Sequence, residues 1–99
     1  MKHGHHVPAA GRLFEWDEDK ARSNVEKHGV TFEEAAEAFF DPFSQGGDAS
    51  SGAERRDFLL GYSLTQRLLL VVHTDRSSRT RIISARPATR AERKLYEQV

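Results

Sequence analysis

No cysteine occurs anywhere in the 99-residue chain. That excludes disulfides, thiolate metal sites and a cysteine nucleophile, and it fits a reducing cytoplasm. No apolar run approaches the roughly 18 residues that a membrane span requires, and the start, "MKHGHHVPAAG", lacks the apolar core of a signal peptide. There is no phosphate-binding glycine loop and no G-x-S-x-G elbow, so nucleotide binding of that type and serine-nucleophile chemistry have no support. Net charge is missing too: 15 Lys and Arg stand against 15 Asp and Glu.

What the chain does have is an uneven distribution of that charge. Nine acids lie between Phe14 and Asp41, opposed only by Lys20, Arg22 and Lys27. Between Arg76 and Lys94 there are seven basic residues, and Glu92 is the lone acid. Such a split marks a basic face for an anionic partner, two halves that attract each other, or simply a solvated surface.

Local signals place these charges on elements. Residues 1–13 read as a disordered leader or extension, with His3, His5 and His6 among small residues and no periodic face. Residues 14–99 read as one domain. "LFEW" suggests a short edge strand. Asp17 is placed to cap a helix running to His28, with Gly29 as its left-handed C-cap. Thr31 and Glu34 have the spacing of a capping box opening a second helix, "VTFEEAAEAFF", which Asp41-Pro42 stops. "SQGGDASSGAE" reads as a mobile loop. "RDFLLGYS", "RLLLVVHT" and "TRIISAR" read as strands, the middle one apolar on both faces. Pro87 ends the third strand, and Thr89 with Glu92 opens a last helix. The expectation is an α+β fold: two N-terminal helices, an antiparallel sheet of three to four strands in a meander, and a C-terminal helix.

Strict alternation along the last strand points Arg79, Arg81, Ile83 and Ala85 one way and Thr80, Ile82, Ser84 and Arg86 the other. Arg90, Arg93 and Lys94 share a face of the last helix, whose N-terminus adds backbone N–H donors for an anion. Arginine binds phosphate through paired hydrogen bonds. Each arginine also has an internal competitor: Arg86 can pair with Glu92 or Glu97, and Arg93 with Glu97. His28 and His73 sit on different elements with no carboxylate at helical ligand spacing, so no metal is expected.

The blocks W-D-x-x-K-x-x-x-N-x-x-K-H-G, from Trp16 to Gly29, and S-A-R-x-A-T-x-x-E-R-x-x-Y-E, from Ser84 to Glu97, carry a resemblance. In them the chain, from about Phe14 onward, resembles the BrnT family of bacterial toxins, the ribonuclease halves of BrnT–BrnA toxin–antitoxin modules. The resemblance implies a RelE-like fold and RNA cleavage without metal or other cofactor. It also implies a cytoplasmic protein neutralised by a BrnA-like ribbon-helix-helix antitoxin, with operator DNA contacted only through the antitoxin.

Such a nuclease needs a base for the ribose 2′-OH, positive charge for the dianionic phosphorane and an acid for the leaving 5′-oxygen. His28 is the acid–base candidate the resemblance supports, at a helix C-terminus that suits a cation. Tyr96 is the second, since RelE-like nucleases often use a tyrosine, and it requires a pKa lowered by Arg93 or Arg81. Arg81 and Arg86 are expected to stabilise the transition state. Lys20, Lys27, Arg79, Arg90, Arg93 and Lys94 are expected to grip the RNA, while Trp16 either stacks a base or packs in the core. The alternative is a binding module that docks RNA or an acidic protein on the same basic face without chemistry.

Overall fold

A computed structural model describes residues 12–98 in full and the backbone of 6–9. Its elements in chain order are β1 (His6–Ala9), β2 (Arg12–Glu15), α1 (Glu18–His28), α2 (Phe32–Glu37), a single 3-10 turn (Ala38–Phe40), β3 (Gln45–Asp48), β4 (Asp57–Tyr62), β5 (Leu68–Arg76), β6 (Arg79–Pro87) and α3 (Arg90–Glu97).

The helix signals work as the chemistry dictates. Asp17 accepts from the Asp19 and Lys20 backbone N–H groups, and Gly29 closes α1 in the left-handed region at φ 68°. Thr89 and Glu92 form a complete capping box at α3. At α2 only half of the expected box forms. Thr31 accepts from Glu34 N, but the Glu34 carboxylate turns away to Arg67, which holds it with bonds of 2.6 and 3.0 Å. Expected as one helix to Phe40, the second segment tightens into the 3-10 turn after Glu37.

The described strands form one sheet in the order β1-β2-β6-β5-β4-β3. The expected three to four strands are therefore six, and the meander is not the whole sheet. β4, β5 and β6 are antiparallel neighbours, but β2 joins β6 in parallel, pairing Phe14 with Thr80 and Glu15 with Arg81. The start of the glycine- and serine-rich segment, expected as loop, pairs as β3 along β4. Of the expected leader, residues 1–5, 10 and 11 lie outside the described residues. His6–Ala9 pairs as β1, and Arg12 and Leu13 open β2, so the sheet starts ahead of Phe14.

α1 and α2 cover one face. Phe14, Trp16, Val30, Phe32, Ala35, Ala36, Ala38, Leu69, Val71, Ile82 and Ala85 form the core between layers. Burying one such aromatic contributes about 2 to 3 kcal/mol. Trp16 is 1 % exposed and stacks edge-on to Phe32 at 5.9 Å, which removes it from base stacking. Gly61 lets β4 approach the 3-10 turn, since a Cβ there would stand 2.6 Å from the Ala38 carbonyl oxygen.

Candidate nucleic-acid interface

The site depends on an irregularity in β6. Val72 pairs with Ser84 and His73 with Ile82, leaving Ile83 as an extra residue opposite nothing. This bulge reverses the alternation beyond it. Thr80 and Ile82 face the core, and after the bulge so does Ala85. Arg79, Arg81, Ser84 and Arg86 all point to the opposite, open face. The strict alternation expected from the sequence, which separated Arg81 from Arg86, is therefore wrong: the bulge brings them onto one side of the sheet. Along the strand they are roughly 15 Å apart.

The arginines are held by carboxylates. Glu15, paired with Arg81 across the parallel ladder, takes a 3.0 Å bond from Arg79 and a 3.5 Å bond from Arg81. Its residue is 8 % exposed. Burial alone raises its pKa, but the Arg79 bond and the two guanidinium charges outweigh this and leave it below the usual carboxylate value. Arg86 donates twice to Glu92, at 2.9 and 2.8 Å, the bidentate geometry that guanidinium favours. Of the two readings open for Arg86 in the sequence, the internal ion pair is the one formed.

α3 borders this face and is anchored by its aromatic residue. Tyr96 donates to Asp41 Oδ2 at 2.5 Å and packs edge-on against Tyr62 at 5.3 Å, while Arg93 donates to the Tyr62 hydroxyl at 3.0 Å. Burial, reinforced by the Asp41 carboxylate that accepts its proton, pushes the Tyr96 phenol up to about 12. The expected lowering by nearby arginines does not occur, because the group beside the hydroxyl is an acid. Arg90 and Lys94 lie exposed on α3.

The α1 residues assemble separately. Lys20, Lys27 and His28 line a groove with Ser23, Asn24, Ile83 and Ser84, where β6 runs on beyond the end of β2. Ser84 borders both this groove and the open face. Asn24 closes the strand edge: its amide donates to Ala85 O at 2.8 Å and to Val30 O at 2.9 Å, and its oxygen accepts from Ala85 N at 3.1 Å. One side chain thus replaces a missing neighbouring strand.

Two residues escaped the sequence reading. Glu15 was counted only as one of the nine acids from Phe14 to Asp41, though its place beside Trp16 in a short apolar run was the available signal. Asn24 had none beyond its place in the first block. Nine of the ten candidates come together as two groups on adjoining surfaces. Arg79, Arg81, Arg86, Arg90, Arg93 and Lys94 belong to the sheet face and its bordering helix. Lys20, Lys27 and His28 belong to the groove. Tyr96 serves as an anchor beneath α3.

A family model described as the ribonuclease toxin, BrnT, of type II toxin–antitoxin systems matches residues 16–92. Among solved structures, the chain is similar to the Brucella abortus ribonuclease toxin BrnT, with 23 % identity and a TM-score of 0.56, over 76 % of this chain and 94 % of that one. No curated protein matches it. Among the described residues, no helix is long and apolar enough to cross a membrane.

Proposed function

The chain belongs to the BrnT family of ribonuclease toxins of type II toxin–antitoxin systems, and we propose that it is a metal-independent endoribonuclease binding RNA on the open face of the sheet. The observation that carries this reading is the β6 bulge, which collects Arg79, Arg81 and Arg86 on that face beside α3. An RNA strand crossing it meets fixed positive charge that is already oriented, and Arg90, Arg93 and Lys94 extend the charge along the helix. Lys20 and Lys27 hold the backbone where it leaves toward the α1 groove.

In the proposed reaction the ribose 2′-oxygen attacks the adjacent phosphorus, the 2′-OH gives up its proton, and the 5′-oxygen leaves with one. The products are a 2′,3′-cyclic phosphate and a free 5′-hydroxyl. Arg81 faces the dianionic phosphorane, and Glu15 keeps its guanidinium in place beforehand. Arg86, further along the strand, takes a neighbouring phosphate of the RNA when that phosphate displaces Glu92. His28 is the exposed imidazole that moves the proton. Tyr96 is not proposed as a base, since it holds its own proton against Asp41.

The antitoxin is proposed to be BrnA-like, of ribbon-helix-helix type, and to inhibit in the cytoplasm by covering the arginine face. Operator DNA is contacted through it. A complex that left Arg81 and Arg86 open to solvent would end the occlusion model.

The test is cleavage of RNA with and without EDTA by wild type, Arg81→Ala and His28→Gln. Cleavage that survives EDTA and falls about 10²-fold or more in each variant supports the proposal. RNA bound but left intact by folded wild type identifies the binding-module alternative.

A further inference from the structure

The covered face of the sheet holds a cluster that neither the arginine face nor the core uses. Asp57 on β4 stands directly across from His73 on β5, and Asp75 lies two residues further along β5 on the same face. The ladder alone brings the three together, with one donor atom from each lying within 4.8 Å of the others. Helical ligand spacing could not reveal it, because two members share a strand at i, i+2 and the third comes from the neighbouring strand.

His73 is 6 % exposed, and its Nδ1 has no hydrogen-bond partner among the described residues. Asp75 Oδ1 stands 3.5 Å away without forming a hydrogen bond to it. A buried ring nitrogen left without a partner costs about 1 to 3 kcal/mol unless something else uses it. Burial disfavours the charged imidazolium of His73, against the neighbouring aspartates, which favour it. Its ring is fixed edge-on against Phe39 at 4.9 Å.

The cluster opens into a cleft of about 250 Å³ bordered by Arg12, Phe39, Gly46 and Gly47. Two guanidiniums stand near the acids, both at arm's length: Arg12 Nη1 is 3.9 Å from Asp75, and Arg55 Nη2 is 3.9 Å from Asp57. Arg12 is held instead by a 2.7 Å bond to Thr80 Oγ1. Neither gives the imidazole Nδ1 a partner.

We propose that His73, Asp57 and Asp75 form a binding site for a divalent transition-metal ion such as Zn²⁺. One nitrogen and two carboxylate oxygens are a donor set that Zn²⁺, Co²⁺ and Mn²⁺ accept, whereas the imidazole disfavours Mg²⁺ and Ca²⁺. The role is structural. Thr74, between the two β5 ligands, pairs with Arg81 on the opposite face, so the ion stiffens the strand behind the arginine without meeting RNA. Binding to the folded chain alone raises its stability.

The test is Zn²⁺-dependent thermal stability together with Co²⁺ absorption, on the full chain carrying His3→Gln, His5→Gln and His6→Gln to remove the leading imidazoles. The expected result is micromolar binding with a rise in Tm, weakened about tenfold or more by Asp57→Asn or Asp75→Asn and abolished by His73→Gln. Mg²⁺ should give no shift. Asp75 is exposed, so Asp75→Asn decides the matter even if His73→Gln fails to fold. No binding below millimolar Zn²⁺, or equal binding by the Asp57→Asn/Asp75→Asn double variant, overturns the proposal. Both readouts are independent of nuclease activity.

Discussion

The two faces of the sheet are made by the same strands and differ in what holds them. Beneath α1 and α2 the core side chains are apolar and closed to water, and their positions follow from volume; only toward the Asp57–His73–Asp75 cluster does this face turn polar. On the other face Arg79, Arg81 and Arg86 stand half-buried or exposed, and their positions follow from pairing with Glu15 and Glu92. Packing leaves a face little freedom to meet a partner. Paired charge leaves it ready to exchange one anion for another, because a phosphate can take the place of a carboxylate at similar geometry. The division explains how a chain of zero net charge can present a basic surface: part of its acid content lies on that surface as internal counter-ions.

The sharpest way to break this comparison is to attack the covered face by volume. Phe14→Ala should destabilise the protein by about 4 kcal/mol in urea unfolding, because Phe14 is fully buried against Phe39 and Phe40. A loss under about 1 kcal/mol would mean the layer is not packed as described.

Asn24→Ala tests the boundary between the faces. It strips β6 of the side chain that bonds its edge at Ala85, and about 2 to 3 kcal/mol should be lost. RNA cleavage per folded molecule should fall as well if α1 positions His28 from this bond. An unchanged stability would show that water replaces the asparagine.

The ion pair that ties α2 to the β4–β5 turn makes a pH prediction. The Arg67 bonds, against the opposing effect of burial and with help from Thr65 and Ser63, lower the Glu34 carboxyl from 4.5 to about 2. The contribution is therefore complete above the unfolded value near 4.5 and is lost as pH falls toward 2. Discounted for the part-exposed Arg67, it amounts to about 2 kcal/mol. Glu34→Gln should erase this acid-side slope and reduce stability at pH 7.

Tyr96→Phe should have the smallest effect, about 1 kcal/mol of stability from the lost bond to Asp41, with cleavage nearly unchanged. A large loss of cleavage with normal stability would return the hydroxyl to the chemistry and blur the line between anchor and site.

Capping chemistry was legible because it is local: Asp17, Gly29, Thr89 and Glu92 act within one turn of themselves. The strands β4, β5 and β6 were legible from their period. β3 was not, because its "QGGD" carries no apolar signature and pairs only because β4 offers an edge. The parallel joining of β2 to β6 was equally hidden, since it links residues more than 60 positions apart. Among the site residues, the positive charge at the C-terminal end was plain in the sequence. Its partners were only half plain: Arg86 with Glu92 is a short-range pair, whereas Arg79 and Arg81 with Glu15 required the sheet.

By itself, the sequence determined the helix caps, the antiparallel run of three strands and the concentration of arginine that any anionic partner would meet. These rest on interactions between near neighbours and on periodicity. Tertiary structure alone decided which arginines share a face, because one unpaired residue at Ile83 inverts every side chain beyond it. It also decided that Tyr96 keeps its proton, since burial, reinforced by an aspartate 55 residues away, raises its pKa. The cluster of Asp57, His73 and Asp75 belongs to the same class, because strand register is a property of two chain segments and cannot be read from either one.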